Sequence, residues 1–454
     1  MKTLAHLSTT ADAPWRLDAP LAVAPTASMP VVEFESKCPA QEMEGFGGCF
    51  NELGWHALQA ATLAEQERVM RLLFDPQDGC RFNHCRMPIG ANDFSTAWYS
   101  FNETRGDYEM RHFSIARDQQ ALIPFIRRAR AIQPDLRLWA SPWCPPTWMK
   151  ESGIYSCIST NANWGQLQGS TNDDILAASR IRNEPRVLEA YALYFVKFVQ
   201  SYATEGIPIY AVHPQNEVFA SQVFPSCLWT AELMADFIAD YLRPAFARAG
   251  LPTEVWFGTQ NAGDESYTER IINDPRLRDT LPGAGFQWGS KGFLHRVKRR
   301  PDLKLMQTES ECHNGSNSWF TAEETFRLLL TYISAGVGSY MYWNLILDQW
   351  GVSNWGWRQN SLFSIHNATG KVTVNHEFHV MRHFSAFVDC GARFLQCHRD
   401  GELGLIAFLN PDGRRVVVAG NTGETLLAPV FTIDGERFRA TLPPHSLHTF
   451  VLDT

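Results

Sequence analysis

Residues 209–220 read "IYAVHPQNEVFA". Ile209 to Val212 form a short apolar run, Pro214 ends it, and Asn216-Glu217 follow at once. A carboxylate at the end of a buried strand is costly to desolvate unless it is hydrogen-bonded or put to use. The strand therefore ends at a place where polar side chains are wanted.

Working outward, the same rhythm recurs from about residue 44, where short apolar runs alternate with longer amphipathic segments. Strand candidates are "GFGGCF" (45–50), "CRFNHCRMPI" (80–89), "LRLWASPW" (136–143) and "IPIYAVHP" (207–214). They continue as "TEVWFGTQ" (253–260), "GFQWGS" (285–290), "LKLMQTES" (303–310) and "VGSYMYWNLI" (337–346). Between them lie helix patterns. Residues 62–74 open with Thr62 and Glu65 as a capping box. In 184–205, Leu188, Tyr191, Phe195, Phe198 and Tyr202 recur every three or four residues, which puts them on one face, and Gly206 supplies the stop. Residues 230–250 and 321–336 read as helices in the same way. Eight strands alternating with helices predict a (β/α)8 barrel of the α/β class. The rival, a doubly wound open sheet, lacks support, because "GFGGCFNELG" does not have the G-x-G-x-x-G spacing of a phosphate turn.

Past residue 390 the pattern changes to short alternating strands punctuated by "NPDG", "NTGE" and "IDGE", which are hairpin turn signals. So small an all-β module needs strands from elsewhere, and residues 19–37 have strand character with no barrel role. The expected organisation is N-terminal strands of a side β-sandwich in 1–38, the catalytic barrel in 39–388 and the rest of the sandwich in 389–454.

Composition narrows the function. The chain has 454 residues, 45% of them hydrophobic, and 40 basic against 48 acidic residues give a net charge of −8. No basic run offers a surface to nucleic acid. No apolar run reaches the length of a transmembrane helix. The ten cysteines are scattered without a C-x-x-C and read as free thiols, so the expected setting is reducing and cytoplasmic, or periplasmic or secreted if a signal peptide has been removed. His379 and His383 stand at i, i+4, but "HVMRH" lacks the glutamate of H-E-x-x-H, so no metal site is expected there. Residues 376–387 read instead as the last barrel helix, packed on the side domain. The oligomeric state is not legible.

In a barrel, chemistry sits at the C-terminal ends of the strands. Glu217 lies just beyond the fourth strand, and Glu309 and Glu311 close the seventh in "LKLMQTESECHNG". Strands four and seven stand on opposite sides of the ring, so their tips face each other across the mouth. Two carboxyl groups about 5 Å apart are what glycoside hydrolysis with retention requires. Tryptophans support a sugar ligand. Trp143, Trp148, Trp288 and Trp343 fall at or after strand ends, with Trp350, Trp355 and Trp357 in the loop beyond. Flat aromatic faces bury the C–H face of a pyranose.

Taken in order, "EGFGGCFNE", "CRMPIGANDFS", "WASPWCPPTWMK", "HPQNEVF", "TESECHNG" and "YMYWNLIL" resemble glycoside hydrolase family 30, which includes glucosylceramidases, bacterial β-glycosidases and endo-glucanases. The likeness extends into the tail. It implies a retaining, cofactor-free barrel hydrolase with Glu217 as acid/base and Glu309 as nucleophile. It also implies that Arg86, Asp93, Trp143, Asn216 and Trp343 hold the sugar or the nucleophile. Trp288 joins them from its strand end. Two departures stand out. The His-Trp-Tyr of glucosylceramidase-like members is replaced by Gln287-Trp288-Gly289, which argues against glucosylceramide specificity. "TESEC" leaves Glu311 as a rival nucleophile.

The expected activity is removal of a β-linked hexose or pentose from a non-reducing end, of β-glucosidase, β-fucosidase, β-galactosidase or β-xylosidase type. The long polar segment 151–183 is the expected wall of that pocket. The alternatives are an endo-acting glucanase or xylanase of the same family and, from another class, a non-catalytic glycan-binding protein.

Overall fold

The computed structural model describes residues 2–23, 31–34, 40–157, 177–261, 265–292, 294–297, 300 and 302–453. Parallel pairing joins Gly45–Cys49, His84–Pro88, Arg137–Ser141 and Ile209–Val212 in order. On the other side of Gly45–Cys49 lie Ser339–Asn344, then Lys304–Glu309, then Gly283–Gln287. The fifth strand closes the ring in two pieces. Glu254–Val255 pairs with the fourth strand and Phe257–Gln260 with the sixth. Only Trp256 separates them. All eight expected strands are therefore present, in a nearly closed parallel barrel.

The Trp256 ring packs inside the barrel with Trp139, Ala211, Met306 and Met341. His213, at the end of the fourth strand, fits above this layer only because two glycines face it. A Cβ on Gly285 would come within 2.5 Å of its ring and one on Gly258 within 2.9 Å. A packed floor of this kind leaves polar chemistry to the strand tips.

The outer helices follow the sequence pattern with two differences. Thr62 accepts from the Glu65 amide as the cap of Leu63–Phe74, but the Glu65 carboxylate turns to Arg68 at 2.7 Å instead of closing the box. A full guanidinium charge on the next turn outcompetes one backbone N–H. The segment after Thr230 is not a uniform α-helix. Ala231–Asp236 and Arg243–Arg248 flank a π-helical stretch, Phe237–Leu242. Pro244 lacks the N–H for a normal turn, and the wider turn before it accommodates that loss. Pro185–Thr204 and Trp319–Ser334 are continuous helices.

Beside the barrel, an antiparallel sheet runs in the order Arg393–Asp400, Leu403–Leu409, Arg415–Asn421, Ser446–Leu452, Thr3–Thr9, Arg16–Leu17. A second sheet combines Ala22–Val23 and Val31–Phe34 with Val430–Ile433 and Glu436–Arg439. Leu405, Val417, Phe431 and Phe450 fill the space between the two sheets. Helix His376–Ser385 joins this module to the barrel. The His383 ring bridges Thr449 Oγ1 and Thr9 Oγ1, each at 2.8 Å, so it is a structural strut and not a metal ligand. Much of segment 151–183, the expected pocket wall, lies outside the described residues. Among the described residues no helix is long and apolar enough to cross a membrane.

Candidate active site

The strand tips converge on one fully buried guanidinium. Arg86, from the second strand, has no exposed surface. Its Nη1 donates to Glu309 Oε2 at 2.6 Å, and its Nη2 donates to Asn216 Oδ1 at 2.6 Å and Ser141 Oγ at 2.8 Å. One planar fork thus ties together strands two, three, four and seven. The guanidinium carbon lies 4.4 Å from the Trp143 ring, 4.9 Å from Trp139 and 5.1 Å from Trp343. These aromatic faces compensate part of the cost of burying the charge.

A second amide completes the network. Gln287 Nε2 lies 2.7 Å from Asn216 Oδ1, 3.0 Å from Thr259 Oγ1 and 3.1 Å from Glu309 Oε2. Asn216 Oδ1 thereby accepts from both Arg86 and Gln287, which fixes the amide so that Nδ2 is free to donate elsewhere. Asn216 lines the cavity.

Glu217 is held separately. Its backbone has a φ of +47°, uncommon for a residue with a side chain. Its N–H donates to Thr259 O at 2.9 Å, while Ala220 donates to its carbonyl at 2.8 Å. Its carboxylate accepts from Asn261 Nδ2 at 2.8 Å, and Asn261 Oδ1 in turn accepts from the Gly289 amide at 2.8 Å. The strained turn re-aims the glutamate from the strand line toward the mouth.

Both glutamates line one cavity of about 320 Å³ with Asp93, Trp143, Asn216, Trp288, Asn261 and Trp357 among its walls. Burial pushes the Glu217 carboxyl above its ordinary range, against the pull of Asn261 and Arg86. Burial also pushes Glu309 up, while the touching Arg86 charge opposes it. Desolvation pushes Asp93 up to about 7, and its Oδ1 has no protein partner. Both carboxyls are thus raised by burial, and of the two only Glu309 hydrogen-bonds to the Arg86 cation.

Of the residues expected from sequence, Asp93, Trp143, Asn216, Glu217, Trp288 and Glu309 reach the cavity, as do Trp357 and the rival Glu311. Arg86 and Trp343 stand behind the wall. Trp343 is 1% exposed and tilts against Trp143 with ring centres 5.4 Å apart, so it packs against Arg86 and Trp143. Glu311 lies past the end of the strand, with 40% of its side chain exposed and His313 at 3.8 Å. Trp148 is also core, its indole donating to Asn102 O at 3.0 Å. Sequence reading had not singled out Asn261 and Thr259 or given Gln287 a role. All three are polar residues at or near strand tips, the signal that found Glu217, and Asn261 stands one residue past the fifth-strand end expected at Gln260.

The model of the glycosyl hydrolase family 30 TIM-barrel domain matches residues 43–388, and that of the family 30 beta sandwich domain matches residues 391–450. The chain belongs to glycosyl hydrolase family 30. It is a glycoside hydrolase, and its substrate is a carbohydrate. Putative glucosylceramidase 3 of Caenorhabditis elegans is 27% identical over 437 residues, 90% of this chain and 80% of that protein. Endo-1,6-beta-D-glucanase neg1 of Aspergillus fumigatus is 27% identical over 430 residues, 91% of this chain and 85% of that one. Among solved structures, SrfJ from Salmonella typhimurium superposes with a TM-score of 0.88 at 24% identity, covering 100% of both chains. The endo-beta1,6-glucanase BT3312 superposes with 0.83 at 23% identity, also over 100% of both. At these identities the two structures speak for the fold alone.

Proposed function

We propose that this family 30 hydrolase cleaves β-linked glycosides with retention, by double displacement. Glu309 attacks the anomeric carbon, and Glu217 protonates the leaving oxygen and then activates water. The observation that carries this reading is the contrast between the two carboxyls in one cavity. Glu309 touches the Arg86 guanidinium, and a neutral Glu309 would leave a buried cation without its counter-ion. In this reading that contact outweighs the burial that raises Glu309, and Glu309 is the anion. Glu217 accepts from the neutral Asn261, and its burial outweighs the pull of Asn261 and Arg86 and favours its proton. Asn216 Nδ2, freed by the saturation of its Oδ1, donates to a hydroxyl next to the reacting carbon. The unpaired Asp93 Oδ1 accepts from another.

The exo reading fits the cavity. Its volume of about 320 Å³ is at the low end of the roughly 300–1,000 Å³ of small-molecule sites, suited to one terminal sugar and little more. One observation favours the endo reading. A second cavity of about 220 Å³ shares Glu311 and His313 with the first, so the wall between them offers a path for a longer chain. Relatives named as endo-1,6-beta-glucanases match along most of their length. Incubation with aryl β-glucoside, β-fucoside, β-galactoside and β-xyloside and with β-1,6-gluco-oligosaccharides separates the two. Monosaccharide alone supports exo action; mixed oligosaccharides from the outset replace it with endo action.

A further inference from the structure

Away from the catalytic cavity, three adjacent strands of the side module bring two imidazoles and a carboxylate to one face. In the Thr3–Thr9 strand, Ser8 stands opposite His448 and His6 opposite Phe450, so His6 and His448 are diagonal neighbours. Asp18 follows Arg16–Leu17, and its amide donates to His6 O at 2.8 Å. His6 Nε2 is 3.0 Å from His448 Nδ1 and 3.9 Å from Asp18 Oδ2, and all three ligand atoms lie within 4.8 Å of one another. Among the described residues this is the one such grouping of histidine, cysteine and carboxylate side chains.

We propose that His6, His448 and Asp18 form a divalent transition-metal site, best matched to Zn²⁺, that ties the first strand of the chain to the last. Two imidazoles and one carboxylate are a common zinc set, with water as the fourth ligand. The spacings of 3.0 and 3.9 Å bracket the roughly 3.3–3.6 Å edge of a ligand tetrahedron about 2.0–2.2 Å from the ion.

Outer contacts orient each donor, as they do in metal sites. His6 Nδ1 must donate to Ala19 O at 2.7 Å, so its Nε2 carries the lone pair. His448 Nε2 lies 3.0 Å from Ser446 Oγ. Without an ion, His448 Nδ1–H donates to His6 Nε2. With one, the His448 proton resides on Nε2 and donates to Ser446, so binding needs only a tautomer change and releases no proton. The Phe450 ring centre is 4.4 Å from that of His6 and excludes water from one side. Arg16 holds Asp18 Oδ1 at 2.9 Å, and the Ser8 side chain also hydrogen-bonds to this carboxylate; with 62% of its side chain exposed, Arg16 can swing away from the metal's charge.

The test is calorimetric titration of the EDTA-stripped full chain with ZnCl₂, repeated with Co²⁺ for its tetrahedral visible absorption. One ion is expected to bind, with a rise in Tm. His6→Gln and Asp18→Asn should each weaken binding by roughly tenfold or more. His448→Gln joins the series with its fold checked by thermal melt, since that ring is buried. Hydrolysis of an aryl glycoside should be indifferent to EDTA. Absence of a binding isotherm, or unchanged affinity in a folded His6→Gln or Asp18→Asn protein, overturns the site.

Discussion

Replacing Arg86 with methionine probes the assignment of charge in the cavity. The guanidinium donates to Glu309 at 2.6 Å and is itself fully buried, while Glu309 keeps 11% of its side-chain surface. Methionine keeps the unbranched bulk against Trp139, Trp143 and Trp343 but removes the cation. Breaking a buried pair in this way costs about 3–5 kcal/mol, because the partner charge is left uncompensated. That cost falls on folding stability; activity falls because Glu309 is less ionised and less firmly placed, and kcat/KM should drop by about two orders of magnitude or more. The sign of the pH effect follows from the same charge. Without the cation the neutral form of Glu309 gains, so the acidic limb of the kcat/KM profile moves to higher pH, and part of the loss is recovered as pH rises. The assay is hydrolysis of an aryl glycoside with a good leaving group across pH, with thermal melts to confirm folding. Arg86→Lys, which keeps a charge but loses the fork, should fall between the two. A folded Arg86→Met enzyme within tenfold of wild type, or an acidic limb displaced downward, refutes the reasoning.

Glu217→Gln should still be glycosylated by a substrate with a good leaving group, yet turn over about 10²–10⁴ times more slowly; azide should accelerate it, and indifference to azide removes Glu217 from the acid/base role. Glu309→Ala should lose nearly all activity and Glu311→Ala little, as read by steady-state rates, and the reverse pattern transfers the nucleophile to Glu311. Asn261→Ala removes a donor that holds the Glu217 carboxyl down. The basic limb of its profile should therefore move to higher pH, and a downward displacement contradicts the pairing.

The barrel and the two glutamates were legible because their signals are local. A four-residue apolar strand capped by Pro214 announces its own end, and Glu217 follows immediately. The cavity's support was less legible because it is assembled across strands. Gln287 looked like a departure from a family pattern, yet its amide reaches Glu309, Asn216 and Thr259. Asn261 stands one residue past the expected end of the fifth strand, and nothing local to the sequence marks it as the partner of Glu217. Trp343 carries the aromatic signature of a sugar platform, and only coordinates reveal that Arg86 and Trp143 occupy its faces. The side-module cluster is the extreme case, with His6 and His448 separated by 442 positions.

The central claim is that one glutamate attacks the sugar and another delivers and recovers the proton. Proton NMR of the first turnovers of an aryl β-glycoside tests it most directly, before mutarotation scrambles the product. The account predicts that the β-anomer is released first. Initial release of the α-anomer would mean a single inverting displacement and would contradict it.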